Sequence, residues 1–243
     1  MSLKWIECVT DSTLVNLLFP RRCVVCDNPV NPYGKLICHD CAKTLRYVRG
    51  PRCYKCGKPL SDETMEYCDD CKRHEHEYIS GMALFEYKTV ADSIYRFKYR
   101  GRREYAKFYG EQLALVFGMK LRALKIQAIV PVPIHKSKMH TRGYNQAKLL
   151  ADELSKHTKI PVIDNLVIRN KKTVPLKDLS PAERNNNLRG AFKIGRNGVK
   201  LETIIIIDDI YTTGATVDEI SRLLHGAGIA NVYFLSLAIG QGV

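Results

Sequence analysis

The stretch at 204–216, IIIIDDIYTTGAT, constrains this chain more than any other. Four β-branched apolar residues in a row, Ile204, Ile205, Ile206 and Ile207, suit a strand buried on both faces of a parallel sheet. Asp208 and Asp209 follow at the strand's carboxyl end, where open α/β sheets place their ligands. Thr212, Thr213 and Gly214 are small residues that let backbone N–H groups close around an anion. From Thr216 onward Val217, Ile220, Leu223 and Leu224 recur at helical spacing. A phosphate in the turn would meet several N–H donors and the positive end of the helix dipole. The carboxylate pair would repel a second phosphate but accept hydrogen bonds from vicinal hydroxyls. A sugar phosphate satisfies both demands; an ordinary buried strand followed by an acidic helix start is the plainer alternative.

All thirteen positions resemble the phosphoribosyl-pyrophosphate (PRPP) signature of type I phosphoribosyltransferases. The resemblance implies that Asp208 and Asp209 hold the ribose 2′- and 3′-hydroxyls, making them the catalytic-site carboxylates. It implies that Thr212, Thr213, Gly214, Ala215 and Thr216 hold the 5′-phosphate. Magnesium is implied too, because a multiply charged pyrophosphate needs a cation to template and neutralise it.

Eight of the nine cysteines form four CxxC pairs, Cys23/Cys26, Cys38/Cys41, Cys53/Cys56 and Cys68/Cys71. Two such knuckles complete a tetrahedral four-cysteine zinc site. Their even spacing suggests tandem ribbons, Cys23/26/38/41 and Cys53/56/68/71, although an interleaved pairing has the same spacing. Four thiolates leave no open position, so both sites read as structural. A segment this short buries little core of its own, and its folding should depend on the metal. Cys8 reads as a packing residue, and His39, His74 and His76 read as surface residues beside knuckles already filled by cysteine. We place the boundary after this head, giving a 1–78 zinc-ribbon segment and a 79–243 α/β domain.

Net charge divides unevenly. Residues 1–80 carry 12 Lys+Arg against 11 Asp+Glu, and the remaining chain carries 26 against 14. The excess belongs to the phosphate-handling part, where a polyphosphate accounts for some of it and a nucleic-acid backbone is a further candidate. No apolar run approaches the roughly 20 residues that cross a bilayer, and the start of the chain lacks a signal-peptide pattern. A cytoplasmic location is the expectation.

Strands are expected at 82–87, 128–134 and 232–237, with helices at 90–99, 105–124 and 147–156. Around 96–105 basic and aromatic residues interleave, a mix that suits a single-stranded nucleic acid as well as a solvated helix end. Lys98, Arg100, Arg102 and Arg103 are the candidates there. A loop after Pro133 holds His135, Lys136, Lys138, His140 and Arg142. Of these His135, Lys136 and Arg142 are placed to neutralise a pyrophosphate electrostatically. The basic stretch 169–189, with Lys171, Lys172 and Arg184, reads as a lid over the ligand or as a nucleic-acid-contacting loop.

Cysteine knuckles, then VPVP-H, RGYNQA, Glu183-Arg184 with Asn187 and Gly190-Ala-Phe192, then the PRPP signature: this order resembles the ComF (ComFC-type) competence proteins along essentially the whole chain. The resemblance implies a type I phosphoribosyltransferase α/β domain behind a double zinc ribbon. It implies a cytosolic factor for natural transformation that binds incoming single-stranded DNA and Mg-PRPP, and partners a ComFA-type DNA helicase at the inner face of the membrane. A metabolic phosphoribosyltransferase with a nitrogenous base or amine acceptor is the alternative. Whether PRPP is turned over, and the oligomeric state, stay open.

Overall fold

A computed structural model describes residues 20–31, 34–171, 188, 190–195 and 200–240. Cys8, Lys172, Glu183, Arg184 and Asn187 lie outside the described residues, as does most of the expected lid. The chain divides into two compact units between Leu45 and Arg46.

In the first unit the Cys23/Cys26 knuckle closes through Cys23 N–H to the Asn28 carbonyl at 2.8 Å and Asp27 N–H to the Cys23 carbonyl at 2.9 Å. The Cys38 amide donates to Cys23 Sγ at 3.4 Å. Cys38 caps α1 (His39–Thr44). The second unit repeats this design: Cys53 N–H reaches the Lys58 carbonyl at 2.8 Å, and Gly57 N–H the Cys53 carbonyl at 2.9 Å. Cys68 then caps α2 (Asp69–Arg73). Asp27 holds φ at 61° where the second knuckle has Gly57 at 77°. Glycine is needed at the second because a Cβ there would come within 2.9 Å of the Gly81 carbonyl oxygen. That contact, and Cys53 and Cys56 at 2% and 0% exposure, place the second ribbon within the core of the second unit.

The remaining elements are β1 (Gly81–Glu86), α3 (Tyr87–Tyr99), α4 (Tyr105–Ala123), β2 (Ala128–Pro131), α5 (Lys136–Arg142) and α6 (Gln146–Thr158). Then come β3 (Val167–Arg169), β4 (Phe192–Ile194), β5 (Thr203–Tyr211), α7 (Ala215–Gly226) and β6 (Asn231–Ile239). Four strands form a parallel sheet in the order β1-β6-β5-β2. Ile204 to Ile207 are fully buried on both alternations, so both faces of the sheet are covered. Ile204 and Ile206 share a cluster with Val217, Ile220 and Leu224 of α7, and α6 packs against β2 and β5. The outer edge of β1 is covered by an antiparallel segment, with Val48 N–H to the Leu84 carbonyl and Glu86 N–H to the Arg46 carbonyl, both at 2.9 Å.

Three features differ from the sequence expectation. β5 continues through the carboxylates to Tyr211 because β6 pairs with it as far as Ile239. The basic segment after Pro133 is a short helix, α5, rather than a loop. His135 Nδ1 accepts from the Ser137 amide at 3.2 Å, and Gly143 stops the helix in the left-handed region at φ 75°. Finally, β3 and β4 form an antiparallel pair bracketing the expected lid.

Candidate functional site

Asp208 and Asp209 project at the carboxyl end of β5 beside the 212–214 turn, which leads into α7. Gly214 closes that turn at φ 87°, where a Cβ would lie 2.6 Å from the Tyr211 hydroxyl oxygen and 3.1 Å from His76 Cε1. A side chain is therefore excluded by conformation and by space. The first amides of α7 have no intrahelical acceptor, which is the general property that makes such a turn an anion cradle.

Cations converge on the carboxylates from three elements. Lys98 of α3 pairs with Asp209 at 2.7 Å, the two side chains being 18% and 12% exposed. Burial lowers the Lys138 ammonium's pKa, and the nearby Arg169, Arg142 and Lys98 push it the same way against the attraction of Asp209. Arg169, at the end of β3, is held over the Phe192 ring at 5.2 Å and feels Asp208. Arg142 of α5 donates to the Tyr99 hydroxyl and to Gln146 Oε1, each at 3.0 Å, and stacks over the Tyr99 ring at 4.8 Å. The RGYNQA segment is fastened beneath: Asn145 Nδ2 donates to the Val132 carbonyl at 2.9 Å while its Oδ1 caps α6 at Ala147. The Tyr144 hydroxyl donates to the Phe97 carbonyl.

Burial, and next the neighbouring Asp209, raise the Asp208 carboxyl from 3.8 to about 7 against the pull of Lys98 and the Asp209 amide. Between those limits the folded protein holds a proton that the unfolded chain has released. Its contribution to stability is therefore complete below about pH 4 and is lost as pH rises through about 7. Asp208→Asn removes this dependence. The stability of the variant relative to wild type should rise by about 2 kcal/mol between pH 5 and pH 7, since one pKa unit is about 1.4 kcal/mol. Urea unfolding at both pH values reads it, and a flat difference would return Asp208 to the ordinary carboxylate range.

The eight cysteines assort sequentially, Cys23 with Cys26, Cys38 and Cys41, and Cys53 with Cys56, Cys68 and Cys71. Within each group the sulfurs all lie within 4.8 Å of one another. A zinc tetrahedron with bonds of about 2.3 Å has edges of about 3.8 Å, so both groups fit the ion. Zinc bound there would cross-link the knuckles and leave no position for a substrate.

Residues 14–72 match the double zinc ribbon domain family. Over 228 residues, 90% of this chain and 97% of the other, the sequence is 31% identical to Competence protein F of Haemophilus influenzae. This chain belongs to the ComF competence-protein family. It is also 30% identical to Competence protein ComFC of Bacillus subtilis, across 80% of each chain. Among solved structures, an adenine phosphoribosyltransferase aligns over 60% of this chain and 75% of that one, at 17% identity and a TM-score of 0.36.

In this ComF chain the residues singled out from sequence fall into distinct places. Asp208, Asp209 and the 212–216 turn are contiguous, with Thr212 exposed and Gly214 buried. His135 serves as the cap of α5, and Lys136 is exposed. Lys98, grouped above with the nucleic-acid candidates, is committed to Asp209. Arg100 and Lys171 are exposed, Arg102 pairs with Glu104 at 3.8 Å, and Arg103 stacks over Tyr144 at 4.7 Å. Lys138 and Arg169 were not assigned to the carboxylates from sequence, where each was only a member of a longer basic stretch. His39 and His74 are exposed as expected, but His76 is not. Its side chain is 3% exposed, and its Nδ1 pairs with Asp218 Oδ2 of α7 at 2.8 Å. Among the described residues no helix is long and apolar enough to cross a membrane.

Proposed function

We propose that this ComF chain handles single-stranded DNA entering during natural transformation and holds Mg-PRPP at the carboxyl end of β5. Family membership supports the competence role. The observation that carries the ligand reading is the meeting of two opposite demands within one site. Asp208 and Asp209 suit vicinal hydroxyls, while the Gly214 turn and the cations Lys138, Arg142 and Arg169 suit phosphate and pyrophosphate. Magnesium would arrive with the pyrophosphate, and these side chains would orient the ribose and screen the leaving charge. A ComFA-type helicase is the partner that would bring the chain to the inner face of the membrane.

The DNA would run along the exposed end of α3. Tyr95 and Tyr99 are 53% and 57% exposed, and their rings lie 5.1 Å apart. Arg100 is exposed next to them. Rings that take bases beside cations that take phosphates are the requirements of sequence-tolerant single-strand binding. Fluorescence anisotropy with a labelled oligothymidylate tests this. Tyr95→Ala with Tyr99→Ala should weaken binding about tenfold or more, given about 1–3 kcal/mol per stacked base. The salt slope should stay close to that of wild type, because no phosphate contact is removed. Equal affinity in the double variant would take the DNA off this helix.

A further inference from the structure

The segment between the second ribbon and β1 touches the site from below. His76 Nδ1 faces the Asp218 carboxylate at 2.8 Å, so that nitrogen donates, and the other Asp218 oxygen accepts the Glu77 amide at 3.0 Å. Asp218 belongs to the first turn of α7, where a negative charge is favoured by the helix dipole. The His76 ring stacks on Tyr78, with centroids 4.9 Å apart, and the Tyr78 hydroxyl meets the Tyr211 hydroxyl at 2.7 Å. Burial pushes both phenols up, so both stay protonated and one donates to the other. Farther along, the Glu77 carbonyl is met by His225 Nε2 at 2.8 Å, and the Ile79 amide donates to the Val232 carbonyl at 2.8 Å.

Both walls against Gly214 are parts of this assembly: the Tyr211 hydroxyl and the His76 ring are what a Cβ there would strike. The other end of the segment is fixed by the ribbon. Gly81 N–H donates to the Lys55 carbonyl at 2.8 Å, Gly57 presses on the Gly81 backbone, and Lys55 Nζ lies 5.4 Å over the Tyr78 ring. The Lys58 ammonium pairs with Asp70 of α2, between the ligand cysteines Cys68 and Cys71. A continuous set of contacts thus runs from the second cysteine group through residues 76–79 to the turn and to Asp218.

We propose that His76 is a positioning residue that couples the second cysteine group to the phosphate-binding turn. The ribbon then acts as a brace that sets the shape of residues 212–214, and the site is competent only while Cys53, Cys56, Cys68 and Cys71 hold their metal. This builds on the reading of that turn as a phosphate site, but its mechanical part can be measured without any ligand.

Hydrogen–deuterium exchange of peptides spanning 211–218 and 146–158 in wild type, His76→Ala, His76→Asn and Cys56→Ser makes the test, with zinc counted in each. His76→Ala should keep two zinc ions per chain, exchange about tenfold faster across 211–218, and leave 146–158 unchanged. His76→Asn, whose amide can still donate to Asp218, should stay within about threefold of wild type. Cys56→Ser should lose one zinc and loosen 211–218. Unchanged protection at 211–218 in His76→Ala, or equal loosening of 146–158, would overturn the brace. In a second arm, titration with Mg-PRPP should give His76→Ala about tenfold weaker binding. Failure of wild type to bind in that arm would remove the ligand reading, while the exchange data would still decide the brace.

Discussion

Asp208→Asn combined with Asp209→Asn should abolish the stabilisation that Mg-PRPP gives the protein while leaving it folded. At a ligand concentration one hundred times Kd, wild type should gain about 2.7 kcal/mol. For a chain of this size that raises Tm by about 5–10 °C. The double variant keeps only one neutral acceptor oxygen per side chain, puts an amide donor where the second carboxylate oxygen was, and should show no shift. Its own stability changes little because two effects oppose. Asn at 208 removes a carboxyl that burial holds with a raised pKa. Asn at 209 leaves the Lys98 ammonium without the ion pair seen at 2.7 Å, a loss of about 1–3 kcal/mol. A thermal shift in the double variant equal to that of wild type would remove the carboxylates from the ligand site.

Cys56→Ser should be the most disruptive single change in the second unit. Cys56 is fully buried and belongs to the same core cluster as Ile204, Ile206 and Phe234, in addition to being a ligand in the second cysteine group. Replacing it removes one thiolate from a closed tetrahedron and leaves a hydroxyl in an apolar setting. A structural zinc site contributes on the order of 10 kcal/mol to its fold, so a defective one should cost at least about 3 kcal/mol. Metal analysis should fall from two zinc equivalents per chain to one, and urea unfolding should shift to lower concentration. Two full equivalents with an unchanged midpoint would show that the cysteine packs without ligating.

The strand–turn–helix at 204–216 was legible from sequence because its signals are local. A β-branched run, a small-residue turn and a helical repeat follow one another without a break. Both cysteine groups were legible for the same reason, and the described sulfurs now give the sequential pairing that spacing alone left open. What escaped notice is held by long-range contacts. His76 and Asp218 are 142 residues apart, and no local pattern announces that a histidine beside a ribbon will be buried under a helix. Lys98 looked like one more cation in a basic stretch until the fold brought α3 to the end of β5. The continuation of β5 through two aspartates ran against β-propensity and was won by pairing with β6. The helix α5 was hidden because histidine is an unusual cap and the helix is only seven residues long.

Second-unit packing also changes how the cysteine-rich stretch is understood. The two ribbons share one local design, yet Gly57 stands where the first has Asp27, and it is Gly57 that lies against the backbone of β1. A repeat that is local in sequence has thereby diverged in use, the second copy becoming part of an α/β core.

The most direct measurement is calorimetric titration of Mg-PRPP into zinc-loaded protein, repeated in the presence of inorganic pyrophosphate. One PRPP should bind per chain and pyrophosphate should compete with it, because the turn and the cation cluster would hold the two ends of one ligand. No heat of binding at millimolar PRPP, with both zinc ions in place, would contradict this reading.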